Sequence, residues 1–119
     1  MRIFGAIFGL VGLLITIAIG VWWEMKSLQT STTTYDSANQ SGAIATARAL
    51  YLQQKSAGVD FSDGPCLSNE IIPGWVADIA HNPRQAVDDL PENQCEAYRD
   101  GKAKHFVELD PDGNLIRAQ

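Results

Sequence analysis

Residues 3–23, IFGAIFGLVGLLITIAIGVWW, contain no charged side chain, and they constrain this 119-residue chain more than any other feature. As a helix rising roughly 1.5 Å per residue, 21 residues span about 31 Å, close to the roughly 30 Å hydrocarbon core of a bilayer. Twelve of the 21 are Ile, Leu, Val or Phe. At about −0.3 to −0.6 kcal/mol each near mid-membrane, they favour insertion by on the order of 4 to 7 kcal/mol. Trp22 and Trp23 fall where an interfacial aromatic anchor belongs. A cleaved secretory signal has a shorter apolar core with a small-x-small site close behind it. Here the nearest such triplet is residues 45–47, well past the apolar end, and no cysteine lies nearby for lipid attachment. The expectation is a retained signal-anchor helix over residues 1–26.

Flanking charge sets the direction of insertion. Arg2 and the amino terminus cap the short side, whereas the long side reads Glu24, Lys26, Asp36, with nothing basic again until Arg48. Positive charge stays cytoplasmic, so the body is expected in the periplasm or outside the cell. Gly5, Gly9, Gly12, Thr16 and Gly20 project within an arc of about 80° on a helix turning about 100° per residue. Such a stripe of small side chains lets a second membrane helix approach closely, which makes other membrane helices, or copies of this one, the expected partners within the bilayer.

The 93 residues beyond position 26 hold 7 basic and 13 acidic side chains, a net charge of −6. No cluster of Lys and Arg offers a phosphate-binding surface, so nucleic acid is not an expected partner. Residues 27–41, SLQTSTTTYDSANQS, lack apolar periodicity and read as a polar linker or stalk, or as a weak extension of the following helix. From about Ser37 to Ser56 the residues favour helix. Ala43, Ile44, Ala47, Leu50 and Tyr51 share one face, opposite Thr46, Ala49 and Gln53, and Gly58 is a suitable stop.

Turns punctuate the remainder at Gly64-Pro65, Pro73-Gly74, Asn82-Pro83 and Leu90-Pro91. Between them the sequence predicts a short helical turn around Trp75–His81 and another over Pro91–Arg99, capped by Gly101. In AKHFVELDPDGNLIRAQ, β-prone residues flank Asp110-Pro111-Asp112-Gly113, which predicts a terminal hairpin. A two-stranded ribbon needs an apolar cover. The candidates are the Ile44/Leu50/Tyr51 face and the cluster Ile71, Ile72, Trp75, Val76 and Ile79. The fold class expected for residues 42–119 is thus a small α+β domain.

Cys66 and Cys95 are the chain's two cysteines. On the oxidising side of a membrane they are expected to pair, closing a loop of 28 intervening residues with a gain of about 3.5 kcal/mol. Their spacing is far from Cys-x-x-Cys, and with His81 and His105 they match no common zinc pattern.

Asp88, Asp89, Glu92, Glu96 and Asp100 crowd 13 positions and read as a solvated acidic face. Glu108, Asp110, Asp112, Gly113 and Gln119 follow a calcium-loop count only loosely, because Gln119 replaces the bidentate carboxylate and Pro111 favours a turn. Cys–His pairs or the carboxylates Asp88 and Glu92 could be drawn into a mechanism. No phosphate loop, nucleophile elbow or zinc-protease motif accompanies them, so neither an enzyme nor a cofactor is expected. His81, beside a turn, reads as a surface or capping residue. Trp75 is a candidate partner contact displayed by Pro73-Gly74, although the preferred role for it is core.

An apolar N-terminal helix running into a stalk, then a small β-containing head with a late cysteine pair, resembles the layout of type IV pilins and of the pseudopilins of secretion systems. That resemblance implies a filament subunit with a leader ending in Gly, which here would be Met1 to Gly5. Those families carry a Glu five residues into the mature helix, whereas positions 6–23 of this chain hold no acid. The reading preferred from sequence is a single-pass, membrane-anchored extracytoplasmic protein acting by protein–protein contact, as an accessory or assembly subunit of a membrane complex. A pilin-like filament subunit and a small-ligand or cation-binding module are the alternatives.

Overall fold

The computed structural model describes residues 36–119. The expected anchor, with Gly5, Gly9, Gly12, Thr16, Gly20, Trp22 and Trp23, lies outside the described residues. Among those described, no helix is long and apolar enough to cross a membrane.

A first helix, α1, covers residues 36–56 of the described chain. Its apolar stripe does what the periodicity requires: Ala43 and Ala47 are fully covered, Tyr51 is 5 % exposed, and Ile44 and Leu50 pack at the margin. The helix ends in a Schellman arrangement, because Gly58 adopts φ +86° and frees the chain to turn back. The Gly58 N–H then reaches the Lys55 carbonyl, and the Val59 N–H the Gln54 carbonyl.

Four strands follow: β1 (Cys66–Ile72), β2 (Trp75–Ile79), β3 (His105–Leu109) and β4 (Leu115–Ala118), in the spatial order β1-β2-β3-β4. The domain is α+β, as its sequence suggests. Strands β1 and β2 are antiparallel and joined at Pro73-Gly74, where Gly74 takes φ +80° and Ile72 pairs with Trp75. Residues Trp75–Ile79 are therefore an interior strand and not the helical turn expected from sequence. Five apolar-rich residues fit either period, and strand pairing on both sides decides the matter.

The terminal hairpin forms where expected, with β3 and β4 antiparallel around Asp110–Asn114. Asp110 organises the turn by accepting the Asp112 and Asn114 N–H groups, while Gly113 sits at φ +88°. The Tyr51 hydroxyl donates to the Pro111 carbonyl at 2.9 Å and ties the turn to α1.

Strands β2 and β3 are parallel, so the chain crosses over between them through residues 80–104. This crossover holds the cis Asn82–Pro83 bond, a 3-10 turn at Ala86–Asp89 and a one-turn helix, α2 (Glu96–Arg99). The helix is shorter than the expected Pro91–Arg99, but Gly101 ends it as anticipated, at φ +74°.

The sheet is covered on both faces. Trp75, Ala77, Ile79, Val107 and Leu109 pack with Leu67 and Phe61 against α1, forming the larger core. On the opposite face Val76 and Phe106 meet Cys95 and Ala103 of the crossover. Strand alternation produces this division, since successive side chains point to opposite faces. Of the apolar cluster expected near residues 71–79, only Val76 falls on the crossover side.

Candidate functional site

The face covered by the crossover carries a polar row running across the whole sheet. Cys66 of β1 pairs with Asp78 of β2, Asp78 with Glu108 of β3, and Glu108 with Arg117 of β4. Adjacent strands bring same-face neighbours to about 5 Å, so these side chains interact directly. The crossover leaves a groove of about 340 Å³ above them, whose walls include Val76, Phe106, Tyr98, Arg84, Arg99 and Arg117.

Glu108 anchors the charges. It is 5 % exposed, and each carboxylate oxygen meets its own guanidinium: Oε1 accepts from Arg84 Nη1 at 2.6 Å and Oε2 from Arg117 Nε at 2.7 Å. Arg84 also donates to Asp89 at 2.9 Å and to the Asp88 carbonyl at 3.4 Å. The Arg117 guanidinium lies over the Phe106 ring, 4.9 Å from its centroid, and Tyr98 meets the same ring edge-on at 5.2 Å. Arg99 donates through Nη1 to the Pro91 carbonyl at 3.0 Å. Among the described residues, no protein acceptor meets the two Nη atoms of Arg117 or Nη2 of Arg99.

Among the described residues, no ion pair reaches Asp78, which lies beside Glu108. Burial, followed by the charge of Glu108, pushes its carboxyl up to about 7, although the Ile79 N–H and Arg84 act in the opposite direction. It therefore exchanges a proton near neutrality, at the base of an open groove.

The two cysteines form the expected disulfide, with S–S 2.04 Å and Cα–Cα 4.9 Å. The bridge fastens the start of α2 to β1 and so holds the crossover over the sheet. Cys66, Asp78 and Cys95 place their donor atoms within 4.8 Å of one another. With the sulfurs bonded to each other, neither is a thiolate available to a metal.

The acidic run separates in space. Asp88 is 1 % exposed and is a structural centre of the crossover. Its Oδ2 accepts the N–H groups of Gln85 and His81 at 2.8 and 3.1 Å, and its Oδ1 faces His81 Nδ1 at 2.8 Å. Burial pushes the Asp88 carboxyl upward, but these hydrogen bonds outweigh it and hold the group below the ordinary carboxylate value. Facing that carboxylate, the His81 ring nitrogen carries its proton toward it. Asp89 pairs with Arg84, and Glu92, Glu96 and Asp100 are exposed. In the loosely calcium-like set, Glu108 is occupied by two arginines and Asp110 by the backbone of its own turn. Trp75 is 6 % exposed and stacks on His105 at 4.7 Å, which places it in the core.

Sequence reasoning did not single out Asp78, Arg84, Arg99 or Arg117. One signal was present: WVADI and HFVEL each place an acid at the fourth position of an apolar run, and a carboxylate embedded in a strand calls for a partner. No protein-family model matches the chain, and no curated protein or solved structure matches it.

Proposed function

We propose that this chain is a single-pass membrane protein whose disulfide-closed head faces the periplasm or the cell exterior. It acts by protein–protein contact as an accessory or assembly subunit of a membrane complex. The observation that carries this reading is the groove. Tyr and Arg are the residue types in which interface binding energy concentrates, and here Tyr98, Arg99 and Arg117 flank an opening floored by Phe106 and Val76. The Cys66–Cys95 bridge supports the oxidising location, and the uncharged run at 3–23 supports the anchor.

The test uses the full chain in its native membrane, with a photo-crosslinking residue at Tyr98 and, as control, at exposed Ala49 of α1. A discrete protein adduct from position 98 and none from position 49 is the expected result. No adduct from position 98, or equal adducts from both, overturns the groove as the contact surface.

The pilin-like alternative draws on one feature: α1 lies along a four-stranded sheet whose last hairpin is tied to it by Tyr51. Mass spectrometry of the native N-terminus separates the two readings. An intact Met1 or Arg2 favours the plain anchor, whereas cleavage after Gly5 with methylation favours the filament subunit.

A further inference from the structure

Three of the chain's five arginines line one groove in a head, residues 42–119, of net charge −5, while none of the described lysines, Lys55, Lys102 and Lys104, does. Long-range charge would keep anions away from such a surface, so the clustering of guanidinium groups here is a local device. Two of the three are fixed before any ligand arrives. Glu108 holds Arg84 and Arg117 by one oxygen each, and Phe106 supports the flat face of Arg117. A guanidinium held by Nε and stacked on a ring keeps its outer N–H edge available, and that edge matches a carboxylate in a two-pronged fit. Arg99, from α2, brings unpaired N–H groups to the same cavity.

We infer that this groove recognises a carboxylate on a partner polypeptide, either a C-terminus or an acidic side chain, gripped by Arg117 and Arg99 with a neighbouring apolar side chain set against Phe106 and Tyr98.

The charge count selects the ligand. Arg84, Arg99 and Arg117 contribute three positive charges, Glu108 and the Asp89 paired with Arg84 remove one each, and Asp78 removes another when ionised, which leaves +1 or 0. That balance suits a monoanion better than a doubly charged phosphate. The apolar floor requires an apolar group beside the anion, which a peptide supplies and a free inorganic ion does not. The groove, at about 340 Å³, is at the small end of ligand sites and has room for one or two residues rather than a folded surface.

This inference rests on the groove being the contact surface, and its test is separable from that reading. The full chain in lipid nanodiscs is titrated with acetyl-Gly-Gly-Leu-Glu bearing a free C-terminus, while the arginine Nε–Hε signals are followed by NMR. The control peptide has Gln for Glu and a C-terminal amide. The expected result is selective movement of the Arg99 and Arg117 signals with a dissociation constant on the order of a millimolar or tighter, and no response to the amide. Arg99→Gln should weaken binding about tenfold. Arg117→Lys keeps a cation beside Glu108, and so preserves the fold, but loses the two-pronged edge and should weaken binding similarly. Arg48→Gln, on exposed α1, should change nothing.

An equal response to the amide peptide, or an equal response to inorganic phosphate alone, overturns carboxylate recognition. If carboxylate selectivity fails while Tyr98 still crosslinks to a protein, the ligand class falls and the contact surface stands. Selective peptide binding with no adduct from Tyr98 keeps the carboxylate site and removes the protein-contact reading.

Discussion

Asp78 and Glu108 occupy paired positions on adjacent parallel strands, carboxyl beside carboxyl, yet arginines reach only Glu108. Two like charges on neighbouring strands repel, and the structure resolves the conflict unequally. Glu108 keeps its charge between Arg84 and Arg117, and Asp78 is left poised to hold a proton. Folding therefore favours proton uptake at Asp78, which sets the sign of its pH dependence.

Because the Asp78 carboxyl rises from 3.8 unfolded to about 7 folded, its favourable contribution is complete below about pH 4 and is lost as pH climbs through about 7. Asp78→Asn removes the cost of the buried charge. The variant should match the parent near pH 4 and exceed it near pH 8 by on the order of 2 kcal/mol, allowing for solvent in the open groove. Urea unfolding at the two pH values measures this, and equal differences at both would contradict it.

Glu108→Gln leaves two guanidiniums facing a neutral amide. Both still reach water, so the loss should be on the order of 1–2 kcal/mol, less than for a fully buried pair. In the double variant with Asp78→Asn the gain from Asp78→Asn should shrink, because the repulsion that each substitution relieves is the same one. A double-mutant cycle by chemical denaturation checks this.

At Gly64 a methyl group would come 2.3 Å from Asp88 Oδ1, and the residue holds φ +66°. Gly64→Ala should therefore cost about 2–3 kcal/mol, by strain at a positive φ and by displacing the carboxylate from the Gln85 and His81 N–H groups. Asp88→Asn should cost a comparable amount, since an amide offers only one acceptor where the crossover needs two. Combined, the two should lose distinctly less than their sum, as both break one hydrogen-bonded centre. Calorimetric melting temperatures of the four proteins provide the check.

Replacing Cys66 and Cys95 together by Ser frees a loop of 28 intervening residues. Stability should fall by about 3 kcal/mol, with the crossover losing amide-exchange protection before α1 and β3 do. Uniform loss of protection across the head would contradict a bridge that acts mainly on residues 80–104.

The parts of this fold legible in sequence are those set by local chemistry. The α1 face follows from 3.6-residue spacing, its end from Gly58, and the last hairpin from Asp110-Pro111-Asp112-Gly113. Strand β2 is not legible because WVADI has too few residues to distinguish the two periods, and because what makes it a strand is hydrogen bonding on both sides, to β1 and to β3, the latter 30 residues away. The parallel pairing of β2 with β3 follows from no local signal. The polar row depends on that pairing, so Asp78, Glu108 and Arg117 become one site only once three strands are in register. The disulfide is legible because two cysteines have one way to pair.

The central claim, a head held outside the cytoplasm by a retained anchor, is tested most directly by labelling intact cells with a membrane-impermeant maleimide before and after a membrane-impermeant reductant. The account predicts no labelling at first and labelling of both Cys66 and Cys95 after reduction under mildly denaturing conditions. Thiols that react without reductant, and only once the membrane is permeabilised, would contradict it.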